Sequence, residues 1–355
     1  MRIALVGVGL IGGSIGLAAR ERLGASVAGC DSLHALDAAA KLGAIDRPCA
    51  DIGEAVRDAE AAFVAVPVGA IHSAVGAVLA AAPEGCVVSD VGSTKRSIVA
   101  ALDDPRFVGG HPLAGAETAG VQHARADLFE GATWYLTPTP TTSGILYERL
   151  HRFLHSLGAR PVAIEPEVHD AILATVSHLP HVLANVLVAQ AASTLAAGGE
   201  RLPATGPSFR DATRVAGANS GIWTDIYLSN RDALAAGIDD TIERLRAVRD
   251  TLQVADARAV TDWNDGAAAD RRRLLEAQLA GGPLFELRAS VPNRPGVVAR
   301  LALELGRAGV NITDMALYPA PDMSEGVIAM WIAGEEQARR TEELVDRLGF
   351  PVARA

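Results

Sequence analysis

An α/β fold opening with a doubly wound parallel sheet is what this chain of 355 residues predicts, on three observations. Up to about residue 165, short apolar runs alternate with amphipathic stretches of helical length, the pattern that places crossover helices between parallel strands. From Glu165 the strand-like runs cease and a long apolar helical stretch begins. Beyond Gly281-Gly282-Pro283 a strand, helix, strand, strand, helix, strand order follows, that of a small ferredoxin-like (βαββαβ) unit. The expected division is 1–165, 166–280 and 284–355.

The first element carries the most meaning. Arg2 to Val6 reads as a strand, and Gly7-Val8-Gly9-Leu10-Ile11-Gly12 then leads directly into an alanine- and leucine-rich helical run. A G-x-G-x-x-G between a strand and a helix is the setting in which that motif binds a dinucleotide. Gly7 allows the tight turn, Gly9 the approach of a pyrophosphate, and Gly12 close packing of helix on strand, with the amides around Leu10 and Ile11 facing the anion. A second apolar run ends at Asp31, whose carboxylate can accept from both ribose hydroxyls. Ser32-Leu33 offers no cation for a 2′-phosphate, so the cofactor is expected to be NAD and the domain Rossmann-type.

Next come a helix over 33–42, a buried strand over 61–67 and a helix over 69–82. A strand over 86–90 is followed by one ending near Gly110. Trp134 to Leu136, a helix over 145–157 and a strand over 161–164 complete the first domain. The second should be all helical, with an apolar stretch over 168–195 interrupted only at Pro180; its apolarity suggests a homodimer formed through it. In the third, strands are expected over 284–290, 312–318 and 326–332 and at the end of the chain, with helices over 296–308 and 335–348.

Composition narrows the function classes. Hydrophobic residues make up 49% of the chain, and the net charge of −10 argues against nucleic acid. The opening run is too short for a signal peptide, and no later run was expected to reach a membrane-spanning length. Three cysteines at no metal-like spacing fit a reducing cytoplasm with free thiols and no metal centre. Among 32 basic residues only Lys41 and Lys95 are lysine, and Arg271-Arg272-Arg273 reads as a solvated helix face.

In an open parallel sheet, ligands bind beyond the carboxyl ends of the strands. Two segments lie there: Asp90-Val91-Gly92-Ser93-Thr94-Lys95, and Gly109-Gly110-His111-Pro112-Leu113-Ala114-Gly115. His111, expected in a loop just after its strand, suits general base catalysis on a hydroxyl whose carbon gives up hydride. It could equally satisfy loop carbonyls. Ser93 could support His111 or the substrate, or cap the helix that begins near Lys95. His178 and His181 lie three apart and can share a helix face. Arg210 and Arg214, four apart, could grip a carboxylate or form surface ion pairs.

These motifs, in this order over nearly the whole chain, resemble the prephenate dehydrogenases of tyrosine biosynthesis. The resemblance implies that His111 is the catalytic base and Ser93 its support, that Arg214 binds a substrate carboxylate, and that His181 and Trp223 line the substrate pocket. It implies NAD-dependent oxidative decarboxylation of prephenate in a homodimer. The last domain resembles an ACT regulatory module, which implies an amino-acid effector, tyrosine, at Asn293-Arg294-Pro295-Gly296 and Asn311.

Two readings compete with this. Arrogenate could be the substrate in place of prephenate, or the chain could be a non-catalytic NAD and amino-acid sensor. A β-hydroxyacid dehydrogenase would need a lysine from the helical domain, which has none.

Overall fold

The structure, a computed structural model, describes residues 1–115, 118–197, 206–277, 283–292, 297, 300–301, 304–305, 308–310, 312–320 and 324–355. By compactness it forms two units, Met1–Glu243 and Arg244–Ala355. Each is described by itself.

The first unit is built on eight strands: β1 (Arg2–Val6), β2 (Ser26–Cys30), β3 (Arg47–Cys49), β4 (Ala61–Val64), β5 (Val87–Asp90), β6 (Phe107–Pro112), β7 (Thr133–Thr137) and β8 (Arg160–Ala163). Their order is β3-β2-β1-β4-β5-β6-β7-β8. Every recorded pairing is parallel except that of β7 with β6. The helices between them are α1 (Leu10–Leu23), α2 (Leu33–Leu42), α3 (Ile52–Val56), α4 (Val68–Ala81), α5 (Arg96–Ala100) and α6 (Gly144–Ser156).

Alternation along β1 and β4 sends Ile3, Leu5, Ala61 and Phe63 into one apolar layer, with Ile15 and Trp134. Ala4, Val6, Ala62 and Val64 enter the other, with Ile71 and Val75. With helices on both faces these strands must be apolar throughout, which is why they read as continuous hydrophobic runs. The chain winds outward in both directions from β1 and β4, and that point of reversal makes the ligand crevice.

Two elements escaped the sequence reading. The edge strand β3 has three residues including Pro48, too few to show a period. The five-residue α3 carried a signal nonetheless. Asp51 accepts from Glu54 N at 2.8 Å while Glu54 accepts from Ala50 N at 2.9 Å, a near-reciprocal cap of the S/T/D-x-x-E type.

A long helix follows, as α7 (Pro166–Leu173), a π-helical turn (Ala174–His178) and α8 (Leu179–Ala197). Pro180 lacks an N–H and crowds the preceding turn, which accounts for a widened turn just before it rather than a break. The span Pro166–Thr194 is by length and composition apolar enough to cross a membrane, and only 22% of its most apolar window is buried. That corrects the expectation that no later run reaches such a length. Val168, Val176 and Val186 are about half exposed or more along it, at 49%, 65% and 54%. Next come α9 (Pro207–Thr213), α10 (Ser220–Ser229) and α11 (Arg231–Gln253), and the boundary between the units falls within α11.

The second unit holds α12 (Ala257–Ala277), β9 (Leu284–Pro292), β10 (Ile312–Pro319), β11 (Glu325–Ala333), α13 (Glu335–Arg347) and β12 (Val352–Arg354). Its sheet runs β10-β11-β9-β12 with antiparallel neighbours. Leu287, Ala289, Ile328, Met330 and Ile332 pack there with Ala338 and Val345 of α13. Arg271, Arg272 and Arg273 are exposed, as a solvated helix face requires, and Arg271 lies 5.0 Å over the Trp331 ring. Asn293, Arg294, Pro295, Gly296 and Asn311 lie outside the described residues, as does much of the helix expected over 296–308.

Candidate active site

The glycine turn has the geometry a dinucleotide needs. Gly7 adopts φ +93° and donates its N–H to Cys30 O at 2.9 Å; a Cβ there would lie 2.4 Å from Ala65 O. A Cβ on Gly12 would meet Gly7 O at 2.0 Å, so helix and turn touch at a point only glycine permits. Gly9 faces open space, with nothing within 4 Å of its would-be Cβ. It caps α1 without a side chain, and no acidic residue stands in the first turn. The amides around Leu10 and Ile11 are thereby left to an incoming anion. Asp31 follows directly after β2, exposed, its Oδ2 accepting from Val8 N at 2.8 Å and its Oδ1 from Ser32 N at 2.6 Å. These residues fit a dinucleotide: an open cradle at a helix start, and a carboxylate fixed at the end of the neighbouring strand.

His111 stands at the carboxyl end of β6 as expected, though within the strand rather than in a loop after it. The antiparallel partner β7, where Tyr135 pairs with His111, extends β6 beyond its parallel neighbour β5. The imidazole is buried, and its Nδ1 lies 2.9 Å from His169 Nε2 on α7. His169 Nδ1 in turn lies 2.8 Å from Asp170 Oδ1. A carboxylate only accepts, so His169 donates from Nδ1, and as a neutral ring it accepts at Nε2. His111 must then donate from Nδ1. Its Nε2 is left with the lone pair. Burial pushes the His111 pKa well below its ordinary value, helped by His169, Lys95 and His178. The ring is therefore a neutral base at physiological pH.

Asp170 does more than hold His169. It also accepts the main-chain N–H of Lys95 at 2.7 Å and of Arg96 at 3.0 Å, anchoring the start of α5. Asn230 donates to Asp170 O at 2.7 Å and lies 3.2 Å from His178 Nδ1. Sequence reading missed His169, Asp170 and Asn230. A histidine followed by an aspartate at the opening of an apolar helix was the available signal.

Ser93 is half-buried in the turn after β5 and makes no hydrogen bond to His111 among the described residues. It does not cap α5 either, because the Asp170 carboxylate takes that place. His178 and His181 do share a face, and it is Trp223 of α10 that they meet. The His181 ring stacks on the indole at 3.5 Å, and His178 stands edge-on at 6.1 Å. Arg210 and Arg214 are exposed at the end of α9.

The family model for the nucleotide-binding domain of prephenate dehydrogenase matches residues 15–163, and that for its dimerization domain matches residues 165–263. The prephenate dehydrogenase of Bacillus subtilis (strain 168) is 30% identical over 368 residues, covering 97% of this chain and 95% of that one. The chain belongs to the prephenate dehydrogenase family. As a prephenate dehydrogenase family member it is an NAD-dependent oxidoreductase. Among solved structures, prephenate dehydrogenase of Aquifex aeolicus in complex with hydroxyphenyl propionate and NAD+ aligns with a TM-score of 0.71 at 26% identity. The alignment covers 77% of this chain and 98% of that one. The Synechocystis arogenate dehydrogenase aligns at 0.68 and 26%, over 77% of this chain and 100% of its own.

Proposed function

We propose that this enzyme converts prephenate to 4-hydroxyphenylpyruvate and CO2 with NAD+, and that His111 is the base. The observation that carries the reading is the buried chain His111–His169–Asp170, which leaves the proton-accepting Nε2 of a neutral imidazole at the carboxyl end of β6. His111 Nε2 takes the proton of the ring hydroxyl, and the positive charge it gains is stabilised through His169 by the Asp170 carboxylate. Bound NAD+ supplies the hydride acceptor. Loss of the ring carboxylate as CO2 makes the ring aromatic, so the residues have mainly to orient one carbon. Ser93 offers its hydroxyl to the substrate hydroxyl, and His181 with Trp223 forms an aromatic wall for the ring.

Arg214 binds the side-chain carboxylate. A cation held on the departing carboxylate would stabilise the ground state and oppose decarboxylation. The exposed apolar face of Pro166–Thr194, within a match to a dimerization domain, supports a homodimer formed through the helical segment. The likeness to biosynthetic prephenate dehydrogenases supports a cytoplasmic enzyme. Residues 284–355 are proposed to be an ACT module that binds tyrosine. The B. subtilis prephenate dehydrogenase aligns across 97% of the chain, more than the two family models span.

Arrogenate is the second reading, favoured by the likeness to the Synechocystis arogenate dehydrogenase. One assay tests both: formation of the reduced cofactor, NADH or NADPH, from prephenate and from arrogenate, each with NAD+ and with NADP+. Turnover of prephenate with NAD+ above the other three combinations is the expected result. No turnover of either substrate would overturn the enzymatic reading of the site.

A further inference from the structure

We infer that the buried pair Asp90–Lys95 is a positioning device for the reaction, fixing the turn that carries Ser93 against the strand that carries His111. The inference rests on the reading of His111 as the base. Asp90 ends β5 and is fully buried. Its Oδ2 accepts the N–H of Gly92, beside Ser93, at 2.8 Å, and its Oδ1 accepts the N–H of Gly110, beside His111, at 3.1 Å. The ladder between β5 and β6 records only Val88 with Phe107 and Ser89 with Val108. Past that point a side chain, not the ladder, meets the Gly110 donor. One carboxylate thereby joins the two segments that bear the reacting groups.

Lys95 completes the device. Its Nζ bonds Asp90 Oδ2, and the side chain is fully buried. Its main-chain N–H donates to Asp170 Oδ1, the atom that also holds His169 against His111. Lys95 therefore reaches the imidazole by two routes, one through each carboxylate. The surroundings leave little slack. A Cβ on Gly92 would lie 2.4 Å from Ile71 Cδ1, one on Gly110 2.6 Å from Asp90 O, and one on Gly109 3.2 Å from Lys95 Cδ.

Burying an ammonium and a carboxylate costs several kcal/mol in desolvation that an apolar pair of similar volume would avoid. A pair kept only for stability gains little from such an arrangement. A compact ammonium also suits a closed site in a way that a five-donor guanidinium does not, in a chain that otherwise favours arginine. The groups facing His111 are Lys95 and Asp90 from β5 and its turn, His169 and Asp170 from α7, His178 from the π turn and Tyr135 on β7. Burial pushes the Lys95 pKa below its ordinary value, against the opposing pull of the Asp90 carboxylate that it bonds.

The test uses the full-length enzyme and three variants: Lys95→Met, the double variant Asp90→Asn/Lys95→Met, and His111→Asn. Removing Lys95 alone strands a buried carboxylate and can leave the chain unfolded. The double variant removes both charges and keeps the experiment readable. It should melt near the parent enzyme, bind NAD+ with unchanged Kd and keep its substrate KM within about threefold, while kcat falls roughly 10- to 100-fold. A double variant with parental kcat overturns the inference, as does one in which KM rises while kcat holds, and so does failure of both Lys95 variants to fold. His111→Asn separates this from the reading beneath it. If that variant turns over normally, His111 is not the base; if it is inactive beside a fully active double variant, only the positioning role falls.

Discussion

The His181 imidazole lies flat on the Trp223 indole, ring centroids 3.5 Å apart and planes inclined by 27°. The contact joins α8 to α10 and presents two aromatic surfaces as one wall, with His178 edge-on to the same indole and Tyr227 at 5.4 Å from it. A planar ring substrate gains from such a wall in the ground state and the transition state alike. Trp223→Leu should therefore raise the KM for prephenate by about tenfold and change kcat little. Steady-state kinetics at saturating NAD+ checks this. A fall in kcat at unchanged KM would move the indole from binding to orientation of the reacting carbon.

His111→Asn should lower kcat by roughly 10² to 10⁴, the usual worth of a positioned general base, and leave NAD+ affinity intact. Because burial holds the His111 pKa well below its ordinary value, the parent enzyme should keep activity as pH falls through 6.5 and lose it only further down. His169→Ala, which removes the acceptor that sets the His111 tautomer, should cut kcat as well. A parental pH–rate profile in His169→Ala would show that the tautomer is set without it.

How much of this could be read in the sequence follows from the reach of each signal. Gly7, Gly9, Gly12 and Asp31 are local: a turn, a helix start and a strand end within one βαβ unit, so spacing alone exposed them. The Cys86 to Asp90 run and the glycines around His111 likewise placed both segments at the right end of the sheet. Asp90, His169, Asp170 and Asn230 could not be read that way. Their partners stand 20, 58, 75 and 60 residues away: the pairing of β5 with β6 brings Gly110 to Asp90, and the packing of α7 against α5 brings Asp170 to Lys95. The position of His111 inside its strand was misjudged because β7, which extends β6 past Gly109, lies more than twenty residues downstream.

The buried His178 ring should make stability pH-dependent. Burial pushes its pKa down to about 4, while in the unfolded chain it titrates near 6.5. Between those values the unfolded state binds a proton that the folded state refuses, so stability is full above about pH 6.5 and is lost as pH falls toward 4. The change amounts to roughly 3 kcal/mol across that window. Thermal melts at several pH values should show a steeper fall for the parent enzyme than for His178→Gln. Parallel curves would mean that the ring is protonated in the native state.

Asp31→Ser should weaken NAD+ binding and narrow its advantage over NADP+. The substitution removes the ribose acceptor and the negative charge that repels a 2′-phosphate. It also removes the acceptor for Val8 N, which holds the glycine turn against β2, so some loss should appear with both cofactors. Direct titration of each cofactor separates the effects. Equal affinity for NAD+ and NADP+ in the parent enzyme would overturn the role given to Asp31.

Removal of the last domain tests the regulatory reading. Its strands β9 to β12 close their own core around Leu287, Met330 and Ile332, and none of the residues placed in the chemistry lies beyond Trp223 and Asn230. The Aquifex aeolicus structure is matched over 98% of its length by 77% of this chain, so a chain of about that span folds in a relative. An enzyme ending near Gly282 should thus keep its turnover. Tyrosine resembles the aromatic product and can compete at the catalytic site, so inhibition of the full-length enzyme by itself decides nothing. Allosteric inhibition requires a second site whose occupancy changes substrate affinity or turnover, and that site should leave with the domain. The truncated enzyme is expected to lose tyrosine inhibition, or to keep only a weak component competitive with prephenate. Equal inhibition before and after truncation would assign tyrosine to the catalytic pocket and leave the domain with another effector or a role in assembly.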